Sequence, residues 1–266
     1  MMNEVENDEI RQHVRNRYKK IALQDTSSDS CCEPVICCKE SSPSVDQMSS
    51  KLGYSEEELT VVPVGANLGL GCGNPQAIAS LQRGEVVVDL GSGGGFDSFL
   101  ASRQVGETGK VIGVDMTPEM ISKARGNALK SGYQNTEFRL GEIEHLPIAD
   151  QSVHVIISNC VINLSPDKQQ VFNEAYRILK VGGRLAISDV VTTAVLPELI
   201  KQDMDALASC VSGASSIGEI EQMLINSGFK DIAIEPKDES RVFIKDWVEG
   251  VNIEDYIVSS VIKAVK

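Results

Sequence analysis

Histidine is scarce: the 266 residues hold three, His13, His145 and His154, and they are dispersed. A zinc or iron centre built on His is therefore not expected. Basic charge is also short. There are 25 Lys and Arg against 38 Asp and Glu, a formal net charge of −13. Nucleic acids and anionic membranes both reward Lys/Arg patches, so neither is an expected partner. No apolar run approaches the ~18 residues of a membrane span. The start, MMNEVENDEI, is acidic and polar, unlike a secretory signal or an Arg-rich transit peptide. These absences predict a soluble, cytoplasmic protein. With 42% hydrophobic residues, the chain has enough apolar side chains for a full core.

What is present begins with seven cysteines: Cys31, Cys32, Cys37, Cys38, Cys72, Cys160 and Cys210. Their number is odd and no export signal is seen, so a structural disulfide framework is not expected. Thiols without His neighbours would hold something soft. Residues 1–60 read as an N-terminal extension. Glu6 to Leu23 has Ile10, Val14, Tyr18 and Ile21 at helical spacing. A Ser-, Asp- and Pro-rich stretch follows and reads as a flexible loop carrying two vicinal cysteine pairs. Short helices are expected at Ser55–Leu59 and from Asn74-Pro75 to Leu81.

Residues 61–190 form the expected core. Apolar strands at EVVVDL, 110–115, 136–140, 153–158 and 184–189 alternate with helices over 96–105, 118–130 and from Ser165-Pro166 to Gly182-Gly183. That alternation predicts an α/β fold, with a mostly parallel sheet and helices on both faces. Residues 191–266 read as an insertion followed by closing elements of the same sheet. They comprise one helix from Pro197, one from Ser216 to Gly228, strands at 232–236 and 256–266, and a short helix carrying the only Trp, Trp247. His154 reads as a half-exposed strand residue.

The strongest local pattern is Asp89-x-Gly91-x-Gly93-x-Gly95 at the end of the first regular strand. Glycines allow a sharp turn and close approach of a ligand to bare backbone. Asp115 ends the second strand and can accept both hydroxyls of a ribose. Together they predict a nucleoside site. A dinucleotide fingerprint would be G-x-G-x-x-G, whereas here Phe96 follows Gly95 and an acid precedes the first glycine. D-x-G-x-G-x-G resembles motif I of class I S-adenosylmethionine methyltransferases. That resemblance implies a Rossmann-like sheet of seven strands, the last antiparallel. It also implies a cofactor site of Asp89, Gly91, Gly93, Gly95, Asp115, Met116, Glu142, Ile143 and Asn159.

No Lys, Tyr or His follows the fourth strand, where the sequence is Ser158-Asn159-Cys160-Val161-Ile162-Asn163-Leu164. Ligands of open α/β sheets sit beyond the C-terminal strand ends, so topology places Cys160 at the reaction site. Cys72 lies in the Gly-rich segment LGLGCGNP, and Cys210 in the insertion. Taken alone, each is as readily a small buried hydrophobe. LGLGCGNP, SNCVINLSPDKQQVFNEAYRILKVGGRLAISDV and ASCVSGASS, with the N-terminal helix and its Cys pair, resemble arsenite S-adenosylmethionine methyltransferases. The resemblance implies that Cys72, Cys160 and Cys210 bind trivalent arsenic.

The chemistry is coherent. Three thiolates balance As(III), and soft sulfur suits a soft metalloid. The arsenic lone pair is itself the nucleophile, so no general base is needed. Thiols must then return electrons to arsenic, leaving a disulfide for an external reductant, thioredoxin or a small thiol. Cys31, Cys32, Cys37 and Cys38 fit capture of the metalloid or electron supply. A zinc site there is the alternative, although CCxxxxCC lacks the usual C-x2-C knuckle. The rival functions are a C- or O-methyltransferase of a small metabolite and a soft-metal-binding protein without catalysis.

Overall fold

The computed structural model describes residues 4–24, 44–245, 247–248 and 250–266. Ahead of the sheet lie helices α1 (Glu4–Leu23), α2 (Val45–Lys51), α3 (Glu56–Val61) and α4 (Gln76–Ala79). Then follow β1 (Val86–Leu90), α5 (Phe96–Val105), β2 (Lys110–Asp115), α6 (Pro118–Lys130), β3 (Thr136–Leu140), β4 (Val153–Asn159), α7 (Lys168–Ile178) and β5 (Leu179–Thr192). The last quarter holds α8 (Glu198–Lys201), α9 (Met204–Leu207), β6 (Ser215–Ser216), α10 (Ile217–Ser227), β7 (Lys230–Lys237), α11 (Arg241–Ile244) and β8 (Ile257–Val265).

The seven long strands run in the order β3-β2-β1-β4-β5-β8-β7. β1 to β5 are parallel, and β8 is antiparallel to both β5 and β7. This is the expected seven-strand plan, with one addition: the two-residue β6 pairs with β5. The central strands are apolar on both faces because both are covered. Val88, Leu90, Ile112 and Ile156 pack under α7 and α10. Val87, Val111, Val155 and Ile157 pack under α4 and α5. α6 joins beside α5 around Phe99 and Phe138.

Local chemistry accounts for the helix ends. Ser55 and Glu58 form a capping box on α3, and Ser216 and Glu219 form another on α10. Gly228 ends α10 in the left-handed conformation. Asp167, rather than Ser165, caps α7 by accepting the Gln170 N–H. α4 stops at Ala79, short of Leu81, because Ser80 turns left-handed.

Three expectations are corrected. The helix expected to reach Gly182-Gly183 ends at Ile178, and those glycines lie within β5. Buried Leu179 already pairs with Val153, and the register shifts before Arg184 pairs with Val155. The single helix expected from Pro197 is two short ones, because Asp203 interrupts it and caps α9 through the Asp205 and Ala206 N–H groups. Trp247 lies beyond α11, against Phe243, instead of within a helix. His154 is a half-buried β4 residue whose Nδ1 accepts the Val86 N–H at 2.8 Å.

α1 packs onto the core and reaches the loops at the C-terminal edge of the sheet. Val14 is fully buried. Arg11 reaches Glu144 at 3.3 Å, and Arg15 reaches Glu142 and the Met116 carbonyl, each at 3.2 Å. No helix among the described residues is long and apolar enough to cross a membrane. Cys31, Cys32, Cys37 and Cys38 lie outside the described residues.

Candidate active site

Past the end of β1 the chain turns through Gly91 to Gly95 into α5. The Gly91 and Ser92 N–H groups both donate to the Val114 carbonyl, at 2.8 and 3.0 Å, which pins the turn to β2. Gly91 has φ +70°, and a Cβ there would strike the Val161 side chain. Gly93, at φ +51°, faces open space. That space is a cavity of about 850 Å³, lined by residues 91–94 of this turn, Asp115, Met116, Ile143, Asn159 and cysteines 160 and 210. α1 closes one side of it with Val14, Arg17 and Tyr18. The buried Ser92 hydroxyl makes no hydrogen bond.

Most residues of the expected cofactor site converge here, but not all in the expected way. Asp115 sits at the tip of β2 and accepts the Gly93 and Thr117 N–H groups, at 3.0 and 2.8 Å. Asp89 is buried and accepts the Ser98 hydroxyl at 2.6 Å; burial, then the charge of Asp97, holds its proton well above the ordinary range. Gly95 and Glu142 do not line the cavity. Gly95 allows close packing instead: a Cβ there would lie 2.6 Å from Phe99 and 2.9 Å from Phe138. Glu142 is occupied by Arg11 and Arg15 of α1. Asn159 is engaged by the Cys72 segment: Oδ1 accepts the Cys72 N–H at 3.0 Å, and Nδ2 donates to the Gly73 carbonyl at 2.8 Å and to the Tyr54 hydroxyl oxygen at 3.0 Å.

The fold brings the three lone cysteines together. Cys72 and Cys160, 88 residues apart, form a disulfide with Cα atoms 5.9 Å apart. Cys210 is free and buried, and its Sγ lies 2.8 Å from the Cys160 carbonyl oxygen. Burial, and then the charge of Asp189, pushes the Cys210 thiol well above its ordinary value. Cys160 and Cys210 both have positive φ, +55° and +64°, which is costly for a side chain with a Cβ. The surrounding contacts hold them there: the Cys160 N–H donates to Ser188 and the Cys210 N–H to Leu207, each at 2.8 Å.

Two acids escaped the sequence analysis. Asp189, within the C-terminal part of β5, has a carboxylate oxygen within 4.8 Å of the sulfurs of Cys72 and Cys160. It holds the turn after Cys160 by accepting from the Ile162 N–H and Asn163 Nδ2, at 3.0 and 2.8 Å, and burial raises its proton affinity to about 6. Asp97, in the first turn of α5, accepts the Tyr54 hydroxyl at 2.8 Å and lines the cavity. Asp189 was legible as a strand-end residue. Nothing local distinguishes Asp97 from an acid that merely favours a helix start.

A methyltransferase-domain family model matches residues 81–228. An arsenite methyltransferase of Halobacterium salinarum is 51% identical over 97% of this chain and 67% of its own length. One from Aquipseudomonas alcaligenes is 37% identical over 84% of this chain and 62% of its own. The chain thus spans about two thirds of the length of these relatives. The crystal structure of an arsenic(III) S-adenosylmethionine methyltransferase from Chlamydomonas reinhardtii superposes with a TM-score of 0.62, at 33% identity, covering 85% of this chain and 75% of that one. A glycine turn at the mouth of a class I sheet, cysteines gathered beside it and this degree of identity lead to one conclusion: the chain belongs to the arsenite methyltransferase family of S-adenosylmethionine-dependent methyltransferases.

Proposed function

We propose that this protein transfers methyl groups from S-adenosylmethionine to trivalent arsenic held by Cys72, Cys160 and Cys210. The observation that carries the reading is the gathering of those three residues: Cys160 and Cys210 line one cavity with the glycine turn, Asp115 and Met116, and Cys72 is bonded to Cys160. The cavity fits the cofactor: Gly93 leaves room where a Cβ would stand, the buried Ser92 hydroxyl lacks a partner, and Asp115 stands at the strand tip. Gly91, Gly93, Asp115, Met116 and Ile143 would hold it. When bound, S-adenosylmethionine supplies an electrophilic methyl carbon for the arsenic lone pair.

The protein's own part is ligation, alignment and electron return. In the bonded form neither Cys72 nor Cys160 is a thiolate, so two electrons and two protons from an external dithiol must first open the disulfide. The three thiols then displace three hydroxyl groups from As(OH)3 as three waters. Ligation leaves the arsenic lone pair opposite the sulfurs, and the buried walls exclude water from it. Methylation raises arsenic formally to the pentavalent state. Two cysteine thiolates return it to the trivalent state by forming a disulfide, and a Cys72–Cys160 bond is the product such a step would leave. A thioredoxin-like protein or a small thiol would reset it, which suits a reducing compartment such as the cytoplasm.

The test is to incubate the protein with arsenite, S-adenosylmethionine and a thiol reductant, and to separate the arsenic species. Methylated arsenic, with one S-adenosylhomocysteine per methyl, is expected. Arsenic binding without cofactor consumption would overturn catalysis in favour of sequestration.

A further inference from the structure

Two carboxyls on the cavity wall lack a counter-charge. Asp89 and Asp97 are both buried and both line the cavity, and no ion pair among the described residues includes either of them. Each is held on one side by a hydroxyl, from Ser98 at 2.6 Å and from Tyr54 at 2.8 Å. The other donors to the Asp97 carboxyl are neutral amides: Gln76, and Asn159 Nδ2 at a long 3.3 Å, which is already shared with Gly73 and Tyr54. Adjacent buried carboxylates are costly unless a cation joins them.

No cluster of side chains that could hold a metal ion includes Asp89 or Asp97 among the described residues. Among the described residues, the donors close enough to hold one are Cys72, Cys160 and Asp189. An organic ammonium, with three N–H donors and a positive charge, suits a carboxylate held only by neutral donors better. A second feature also points to a polar ligand at this wall: the buried Ser92 hydroxyl, in the adjoining turn, has no partner.

We infer that Asp97 is the residue that reads the α-amino group at the methionine end of the cofactor. The inference rests on the methyl-transfer reading above. Asn159 is another polar residue of the expected cofactor site, but its amide is committed to the Cys72 segment. Asp97 is carried on the first turn of α5, directly after the glycine turn, so the recognition of ammonium and of the nucleoside is built on one rigid junction.

The test uses two ligands that cannot turn over: S-adenosylhomocysteine, which carries the amino group, and 5′-methylthioadenosine, which lacks the amino-acid end. By calorimetry, Asp97→Asn should weaken S-adenosylhomocysteine by about tenfold or more and leave methylthioadenosine within about twofold. Unchanged S-adenosylhomocysteine affinity overturns the assignment, as does equal weakening of both ligands, which would mark Asp97 as merely structural. The unaltered protein gives a check free of folding effects. S-adenosylhomocysteine lacking its α-amino group should bind about tenfold more weakly than the parent, and equal binding overturns the assignment. A protein that binds neither S-adenosylhomocysteine nor methylthioadenosine would overturn the methyl-transfer reading itself, whereas one that binds both and fails only the Asp97 comparison overturns this inference alone.

Discussion

Asn159 Oδ1 accepts the backbone N–H of Cys72 at 3.0 Å, although 87 residues separate them. The same amide donates to Gly73, and the Ser259 hydroxyl donates to the Cys72 carbonyl at 2.6 Å. The Gly-rich Cys72 segment is thus clamped on both sides. Its glycines allow that clamping: a Cβ at Gly71 would lie 2.8 Å from the Asn159 amide, and one at Gly73 would lie 2.9 Å from the Ser188 hydroxyl. Asn159→Ala should release Cys72. At about 1 kcal/mol per lost hydrogen bond, the loss is on the order of 2–3 kcal/mol. The thermal midpoint should fall by about 2–4 °C per kcal/mol, and arsenite affinity should fall with it. Unchanged arsenite affinity, measured by calorimetry on the reduced protein, would show that the clamp does not place Cys72.

The cysteines make a second prediction. Cys72→Ser, Cys160→Ser and Cys210→Ser should each slow methylation of arsenite by about a hundredfold or more, because one soft anionic ligand is lost and the lone pair is misaligned. Cofactor binding should persist. Monomethylated trivalent arsenic has only two positions left for sulfur and should tolerate the loss of one cysteine. Cys210 is the one to spare, because burial and Asp189 keep its thiol protonated well above its ordinary value. Full activity of Cys160→Ser on either substrate would sink the three-thiolate proposal.

Stability should depend on pH through Asp97. Burial raises this carboxyl from 3.8 to about 6. A raised acid binds its proton more tightly in the folded state. Its contribution is therefore complete below the unfolded value of 3.8 and is lost as pH rises through about 6. Thermal melts from pH 7 to 5 should show the unaltered protein gaining stability relative to Asp97→Asn. Parallel curves for the two proteins would contradict the burial assigned to this group.

Glu142 separates the sequence expectation from the structure. This acid after the third strand was expected in the cofactor site, but the structure pairs it with Arg11 and Arg15 of α1. The Glu142 side chain is 34% exposed, so the contribution should be small, about 0.2–1 kcal/mol per pair. Glu142→Ala should speed amide exchange within Glu4–Leu23, more so at low salt, and change S-adenosylhomocysteine affinity little. A large loss of affinity with unaltered exchange in α1 would return Glu142 to the cofactor site.

The sequence by itself determined the features that depend on neighbours along the chain. Apolar runs cut by glycine mark β1 to β4, helical spacing marks α5 and α6, and Ser216 with Gly228 brackets α10. Asp89 to Gly95 with Asp115 is legible for the same reason, because a strand, a tight turn and a helix are local events. Where local chemistry pulled both ways, the sequence misled. Gly182-Gly183 resembles a helix stop yet lies in β5, because pairing of Leu179 with Val153 outweighs the turn preference. Only the tertiary structure decided which distant groups meet. It bonded Cys72 to Cys160, set Cys210 against the Cys160 carbonyl, placed Glu142 under α1 and buried Asp97 beside Asp89 without a counter-charge. Those outcomes rest on burial and on contacts between segments far apart in the chain, and the order of residues along it sets neither of these directly.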